Sequence, residues 1–434
     1  MGHGNSSGRG GSVATGAAVR IPCTPPRPFQ QVNTTIHSNA ELDVLVVGGG
    51  VAGLWCLNAL VDAGCNAALL ESKALGTGQS ISAQGILHGG VKYSLTGLLA
   101  ASSSAISEMP ERWDQSLAGT QSPDLRAVRV RTDACHLWRT ESLRSIAGMA
   151  GAKLALRVRP QRLAPEDRPE ILRDCPGDVA LLPEKVIETP SLMSALAALH
   201  PDRIALGEVL DGDATQTEFA TVRVRLADGE QLQLRTRRVV LAAGAGTPGL
   251  LQRLGLPEDT EPMQRRPLHM AMVKGAPDRL AELNGHCADG GRTRVTITSS
   301  TSEDGHRVWQ LGGELAESGC TLEPSELITA ARSCLHSVLP GFDASTNDLA
   351  WATYRIDRAE KKTTKALRPA GTYVGTRGAA VIAWPTKLVL APATAREVVT
   401  ECTTSSARRT GDTPFADSVT PPVAPPPWEE ARWT

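Results

Sequence analysis

Nowhere in the chain do 18 apolar residues follow one another, so no membrane-spanning helix is expected. The amino terminus also lacks the apolar core of a secretory signal. Met1-Gly2-His3-Gly4-Asn5-Ser6 does fit the N-myristoylation pattern, and lipidation of Gly2 is left open. Charge of one sign is missing too: 45 basic residues stand against 46 acidic ones, a net −1. With no basic stretch interleaved with aromatics, a nucleic-acid partner is not expected. Nine cysteines, at 23, 56, 65, 135, 175, 287, 320, 334 and 402, form no C-x-x-C pair and no Cys/His cluster. Neither a metal centre nor a disulfide framework is expected, and a reducing, cytoplasmic setting fits, with peripheral membrane association left open. The one G-x-S-x-G match, Gly4 to Gly8, follows no expected strand and so makes no nucleophile elbow, and there is no H-E-x-x-H or G-K-[ST] motif; no competing nucleophile, zinc-protease or phosphate-loop chemistry emerges. No internal repeat is visible.

What is present is concentrated in LDVLVVGGGVAGLWCLNALVDAGCNAALLES, Leu42 to Ser72. This segment reads as a buried strand, a glycine turn, a helix, a second strand and an acid. Gly48, Gly50 and Gly53 have the G-x-G-x-x-G spacing, and Glu71 follows about twenty residues on, the arrangement of a dinucleotide-binding unit. Gly48 serves the tight turn, Gly50 the approach of backbone to a pyrophosphate, and Gly53 close packing of helix on sheet. Glu71 offers acceptors to a ribose. The helix start, Val51 and Ala52, offers unpaired N–H groups and partial positive charge to the phosphates.

At 434 residues, 41% of them hydrophobic, the chain suits two domains. Residues 1–40 are rich in Gly, Ser, Thr and Pro and read as an unstructured leader, and the proline-rich stretch 403–434 reads as an unstructured tail. Helices are expected near 98–117, 142–155, 191–199, 323–339 and 391–401. The apolar run RVVLAAGA at 238–245 predicts a buried strand entering a tight turn, and alternating segments between 263 and 316 predict an antiparallel sheet. The fold class is thus α/β with α+β: a discontinuous Rossmann-like domain (41–120, 184–262, 346–402) interleaved with an antiparallel-sheet cap (121–183, 263–345).

Directly after Glu71 comes GTGQSISAQGILHGGVKY, a loop dense in Gly and Ser followed by His88-Gly89-Gly90 and Tyr93. With Gly207-Glu208-Val209-Leu210 and the strand Val239 to Gly246, this order of motifs resembles the FAD-dependent oxidoreductases of the D-amino-acid oxidase and glycerol-3-phosphate dehydrogenase superfamily. The resemblance covers roughly 42–401 and implies FAD rather than NAD, with substrate held against the flavin face by the cap. The cofactor-binding residues it implies, with those of the glycine unit, are Gly48, Gly50, Val51, Ala52, Gly53, Glu71, Ser72, Ser80, Ser82, Gln84, Gly85, His88, Gly89, Val209, Ala243, Gly244 and Lys387. One departure stands at Trp384 to Pro392, where the family's closing glycine-rich turn has no glycine. Ala391-Pro392 still reads as a helix start, and Lys387 there would place positive charge near the flavin N1–C2=O edge.

The expected reaction is hydride transfer to the flavin from a C–H next to oxygen or nitrogen of a small polar, anionic substrate of the 2-hydroxy acid, amino acid or glycerol phosphate type. His88 is the candidate base. Arg266 and Arg355 are candidate clamps for the anion, Tyr93 a further substrate contact, and Arg355 and Lys387 join His88 as catalytic candidates. The alternatives are a non-catalytic flavin- or nucleotide-binding regulatory or assembly protein, and a nicotinamide-only dehydrogenase. Electron acceptor and oligomeric state are not legible.

Overall fold

A computed structural model describes residues 1–2, 38–89, 108–140, 160–259, 262–289, 292–363, 369, 371–403 and 413–434. Contacts separate Met1–Thr35 from Ile36–Thr434, and the architecture below is that of the second unit. In chain order its strands and helices are β1 (Ser38–Val47), α1 (Val51–Asp62), β2 (Ala67–Glu71), α2 (Met109–Leu117), β3 (Val130–Thr132), β4 (Cys135–Trp138), β5 (Gln161–Arg162), β6 (Val179–Leu182), β7 (Val186–Ile187), α3 (Thr189–Ala198), β8 (Ile204–Asp213), β9 (Ala220–Leu226), β10 (Gln231–Leu241), α4 (Thr247–Arg253), β11 (Met263–Gly275), β12 (Gly285–Asp289), β13 (Arg292–Thr301), β14 (Arg307–Gly312), α5 (Glu314–Ser318), α6 (Pro324–Val338), β15 (Ala350–Lys361), β16 (Tyr373–Arg377), β17 (Ala380–Trp384) and α7 (Ala391–Cys402).

The first sheet is a parallel ladder, β8–β2–β1–β10–β17, with β16 antiparallel at one edge. The antiparallel strand β9 joins β8 to β10. The apolar runs in β1, β2 and β10 follow from burial on both faces. On one side α1, α3 and α7 cover the sheet, and Trp55 packs edge-on against Trp113 of α2 at 4.6 Å between ring centroids. That cover explains why α1 is apolar nearly all round rather than amphipathic. Its one buried amide, Asn58, is satisfied by donating to the carbonyls of Leu54 (2.8 Å) and Leu196 (3.0 Å).

The second sheet has the order β15-β11-β14-β13-β12-β4-β6-β5 and is antiparallel apart from β12 beside β4. Its outer face is covered by α6, whose Leu327, Ala331, Leu335 and Val338 form a buried stripe at helical spacing. Helix α6 begins with a reciprocal cap between Glu323 and Glu326. The inner face turns toward the first sheet.

Two expectations change, and a third lies outside what the structure describes. Ser38 to Ala40 belong to β1, so the ordered chain begins before residue 41; of the leader, residues 3–37 lie outside the described residues. Strand β15 pairs along its length with β11, so the stretch assigned to the nucleotide domain from 346 is cap sheet up to Lys361. The expected helix at 142–155 and the start of that at 98–117 lie outside the described residues.

The largest change concerns the tail. Residues 413–434 are packed against both sheets. Phe415 is fully buried under the first sheet, and the Val419 carbonyl accepts from Leu206 N–H at 2.7 Å. Val423 bridges to Leu75, Trp428 is buried beside Met272 and Ala352, and Thr434 exchanges two 2.9 Å backbone hydrogen bonds with Trp351. The prolines suggested disorder because they cannot propagate regular pairing, yet an extended chain needs only isolated bonds and aromatic anchors to dock. Phe415→Ala is expected to lower the unfolding free energy by about 3–5 kcal/mol in urea titrations; a loss under about 1 kcal/mol would mean that the tail contributes little.

Candidate active site

The glycine turn after β1 is built around approaches that no side chain permits. Gly48 has φ +113°, and a Cβ on it would lie 2.8 Å from the Ala242 and Ala243 backbone. A Cβ on Gly53 would lie 1.8 Å from the Gly48 carbonyl oxygen. At Gly50 the only heavy atom a Cβ would meet within 4 Å is Ser80 Oγ at 3.0 Å. Helix α1 has no side-chain cap, and its Val51 N–H donates to that same Ser80 oxygen at 3.0 Å. An uncapped helix start, a hydroxyl across it and open space over Gly50 form the cradle a pyrophosphate needs. Glu71 closes it: its carboxylate accepts from Gly49 N–H (2.6 Å) and Lys73 N–H (2.8 Å), fixed beside the turn at the end of β2. The turn after β10 brings Ala243 and Gly244 to the same place, since Ala242 N–H donates to the Val47 carbonyl.

Beyond Ser80 the loop leaves the cradle for the cap. The Ser82 carbonyl accepts from Tyr354 Oη at 3.1 Å, and Tyr354 accepts in turn from Gln310 Nε2 at 2.8 Å. Gln84 Nε2 reaches three cap acceptors, the carbonyls of Thr296 and Gln310 and Thr298 Oγ1, at 3.0–3.2 Å. Gly85 lies against Ile187, whose carbonyl a Cβ would approach to 2.0 Å. Gln84, expected to touch cofactor, thus joins the loop to the cap, while Gly85, also expected there, packs on β7. Val209 sits in β8 with its carbonyl accepting from Arg253 at 2.6 Å.

Next to Gly85 the chain runs beside residues 184–187, and Leu87 N–H donates to the Lys185 carbonyl. This pairing sets His88 against Glu184, with Nδ1 and Oε2 3.2 Å apart, while Gly89 N–H donates to Oε1 at 2.8 Å. From the cap, His286 on β12 brings Nε2 to 3.6 Å from the same Oε2, and its Nδ1 lies 2.9 Å from Thr296 Oγ1. One donor atom from each of His88, Glu184 and His286 lies within 4.8 Å of the others, a cluster that the cysteine and histidine spacing gave no reason to expect. Glu184 and His286 are fully buried, whereas the His88 side chain is 19% exposed. Burial alone would raise the Glu184 pKa; the charge that His88 carries when protonated and the imidazole N–H groups of His286 and His88 outweigh it and hold the carboxyl well below its ordinary range. A carboxylate on Nδ1 fixes the tautomer and orientation of His88, leaving Nε2 as the acceptor nitrogen.

The arginine expectations need correction. Arg355 donates to the carbonyls of Cys320 and Leu322, both at 2.7 Å, on the outer, helix-covered face of β15. Residues of opposite parity, Tyr354 and Arg358, share the inner face. Arg266 is on that inner face too, but it forks onto buried Glu360 (2.8 and 3.3 Å). From His286 the register runs through Thr296, Gly312 and Met270 and then four residues along β11 to Arg266. Three strand spacings and four residues of rise amount to roughly 19 Å. That is too far for one small molecule to touch both Arg266 and the His88 cluster. Lys387 lies in the turn between β17 and α7, with its N–H donating to the Pro385 carbonyl at 2.7 Å. Beside it Thr386 is buried at φ +60° where the family turn carries glycine, and its Oγ1 donates to the Gly371 carbonyl at 2.9 Å. Helix α7 starts at Ala391 as expected. Gly90 and Tyr93 lie outside the described residues.

Comparison with known proteins agrees with the cradle. The family model of FAD dependent oxidoreductases matches residues 43–396. The chain belongs to that family. It is 40% identical, over 90% of its own length and 98% of the relative's, to a probable FAD-dependent oxidoreductase of Pseudomonas aeruginosa, PA4991. The crystal structure of PA4991 superposes with a TM-score of 0.75, covering 91% of this chain and 99% of that one. Glycine oxidase from Geobacillus kaustophilus shares the fold at 18% identity and TM-score 0.59, covering 89% and 100% of the two chains. L-alpha-glycerophosphate oxidase from Mycoplasma pneumoniae, solved with FAD bound, does so at 15% identity and TM-score 0.60, covering 86% and 97%. The cofactor of the family is FAD, and the open space over Gly50 and the uncapped start of α1 fit its pyrophosphate. No helix among the described residues is long and apolar enough to cross a membrane.

The geometry gives a test that separates fold from cofactor. Gly50→Ala meets only a rotatable hydroxyl and has an ordinary backbone conformation, φ −74° and ψ 176°, so the protein should fold. The added methyl occupies the pyrophosphate approach and should weaken FAD binding tenfold or more, about 1.4 kcal/mol, in fluorescence titration of the apoprotein. Unchanged affinity would remove the cradle from the binding site.

Proposed function

We propose that this FAD-dependent oxidoreductase dehydrogenates a small polar molecule at a carbon bearing a hydroxyl, of the 2-hydroxy acid or glycerol phosphate type, with His88 as the base. The observation that carries this reading is the contact of His88 Nδ1 with buried Glu184 at 3.2 Å. FAD, when bound, supplies the hydride acceptor. The chain's own task is then to position the carbon and remove a proton. A hydroxyl holds its proton tightly enough to need a base during oxidation, whereas a neutral amine does not, and an imidazole held by a carboxylate is suited to that demand. Glu184 holds the ring in one tautomer and balances the charge that arrives with the proton, as a buried carboxylate does for a catalytic histidine elsewhere.

Pocket geometry leaves the anionic part of such a substrate to groups other than Arg355 and Arg266, for the reasons of direction and distance given above. Ser80 and the start of α1 serve the cofactor, and Lys387 is kept as a candidate for the flavin pyrimidine edge because it stands in the turn before α7. A non-catalytic flavin-binding role is the competing outcome of the same experiment.

Anaerobic mixing of the yellow protein with 2-hydroxy acids, glycerol phosphate and amino acids should bleach the flavin with a hydroxy compound. His88→Asn should slow that bleaching by a factor of 10² or more while leaving chemical reduction by dithionite intact. Bleaching by amino acids alone would overturn the hydroxyl assignment, and no bleaching by any of them would favour the binding protein.

A further inference from the structure

The cluster of His88, Glu184 and His286 has more order than one base requires. A single carboxylate hydrogen-bonded to His88 would suffice for orientation. Here a second, fully buried imidazole comes in from another strand and aims Nε2 at the same carboxylate oxygen. The 3.6 Å between them is too long for a good hydrogen bond. Ligand atoms that share a tetrahedral ion at 2.0–2.2 Å stand about 3.3–3.6 Å apart; the two separations from Glu184 Oε2 are 3.2 and 3.6 Å, and all three ligand atoms fall within 4.8 Å of one another. The supporting shell is also that of a metal site. Thr296 Oγ1 on Nδ1 orients His286, and Gly89 N–H on Oε1 holds the carboxylate so that Oε2 faces both rings.

We propose that His88 Nδ1, Glu184 Oε2 and His286 Nε2 form a binding site for a divalent transition-metal ion of the zinc type, and that its occupancy switches off His88 as a base. The proposal rests on the reading of His88 given above for its second half only. The switch is a matter of tautomers. In the metal-free protein Nδ1–H of His88 points at Glu184 and the lone pair is on Nε2. An ion on Nδ1 takes the lone pair there, and the ring proton moves to Nε2, which becomes a donor. His286 likewise coordinates through Nε2 and carries its proton on Nδ1, with the Thr296 hydroxyl turning from donor to acceptor. No proton is gained or lost by either neutral ring, and the carboxylate charge is met by the ion. Two imidazoles and one carboxylate leave a fourth position open.

The test uses the FAD-loaded full chain and Zn²⁺ alone. Equilibrium dialysis with metal analysis should find one Zn²⁺ per chain at micromolar free metal. X-ray absorption at the zinc edge should show two imidazoles and a carboxylate oxygen. Glu184→Gln and His286→Gln should each weaken binding by roughly a hundredfold, and Thr296→Val by roughly tenfold. Retained flavin colour reports folding, and if Glu184→Gln loses it, the His286 and Thr296 variants carry the comparison. No zinc retained by the wild type, or equal retention by these variants, overturns the site without touching the function proposed above. With a substrate that bleaches the flavin, the bleaching rate should fall in proportion to zinc occupancy; an unchanged rate at full occupancy overturns the switch.

Discussion

A buried negative charge at the meeting point of three chain segments is the constraint on which the boundary between loop and cap depends. Glu184 lies in the short connection between β6 and β7, has no exposed surface, and stays ionised because His88, His286 and the Gly89 amide surround it. Such a charge costs several kcal/mol to desolvate and is tolerated only with its partners in place. The loop after the nucleotide cradle and strand β12 of the cap are therefore both held where Glu184 requires them. The same electrostatic demand that steadies the fold holds the tautomer of the histidine.

The cofactor half depends on contacts between backbones. Gly48 and Gly53 let β1, α1 and the turn after β10 approach more closely than any side chain allows. A polar chain running from Ser82 through Tyr354 and Gln310, with Gln84 spanning three acceptors on β13 and β14, then ties this half to the cap. These are neutral hydrogen bonds at the boundary between the sheets, each worth about 1 kcal/mol net. Together they fix the distance between cradle and cap more than they add stability.

The nucleotide unit was legible in the sequence because all its determinants are local: strand, glycine turn, helix and acid lie within about thirty residues. The antiparallel cap and the start of α7 were legible from alternation and from Ala391-Pro392 for the same reason. Glu184 was not, since it follows Pro183 in no periodic pattern and acquires meaning only from residues nearly a hundred positions away on either side. Alternation along a strand puts Arg355 and Arg358 on opposite faces, but it cannot say which face is inward. That depended on α6 packing over Trp351. Composition misled for the tail, because proline content reports what cannot pair regularly and says nothing of anchors such as Phe415 and Trp428. At Thr386 the absence of glycine gave no sign of the backbone shape: a threonine takes the left-handed conformation, at a cost of about 1–3 kcal/mol.

The way the chain is threaded governs how the molecule can assemble. Strand β1 has its parallel neighbour β10 far along the sequence, with Ser38 opposite Leu232, and the cap edge at Trp351 is paired by Thr434. Contacts this distant make for slow folding, because loop closure precedes the reward. During synthesis the nucleotide cradle emerges early, yet it stands beside an absent sheet neighbour until β10 follows. The strap across both sheets, 413–434, follows every strand that it covers. Chain growth thus leaves apolar strand edges without their partners for a time, the condition in which a partly folded chain is prone to aggregate.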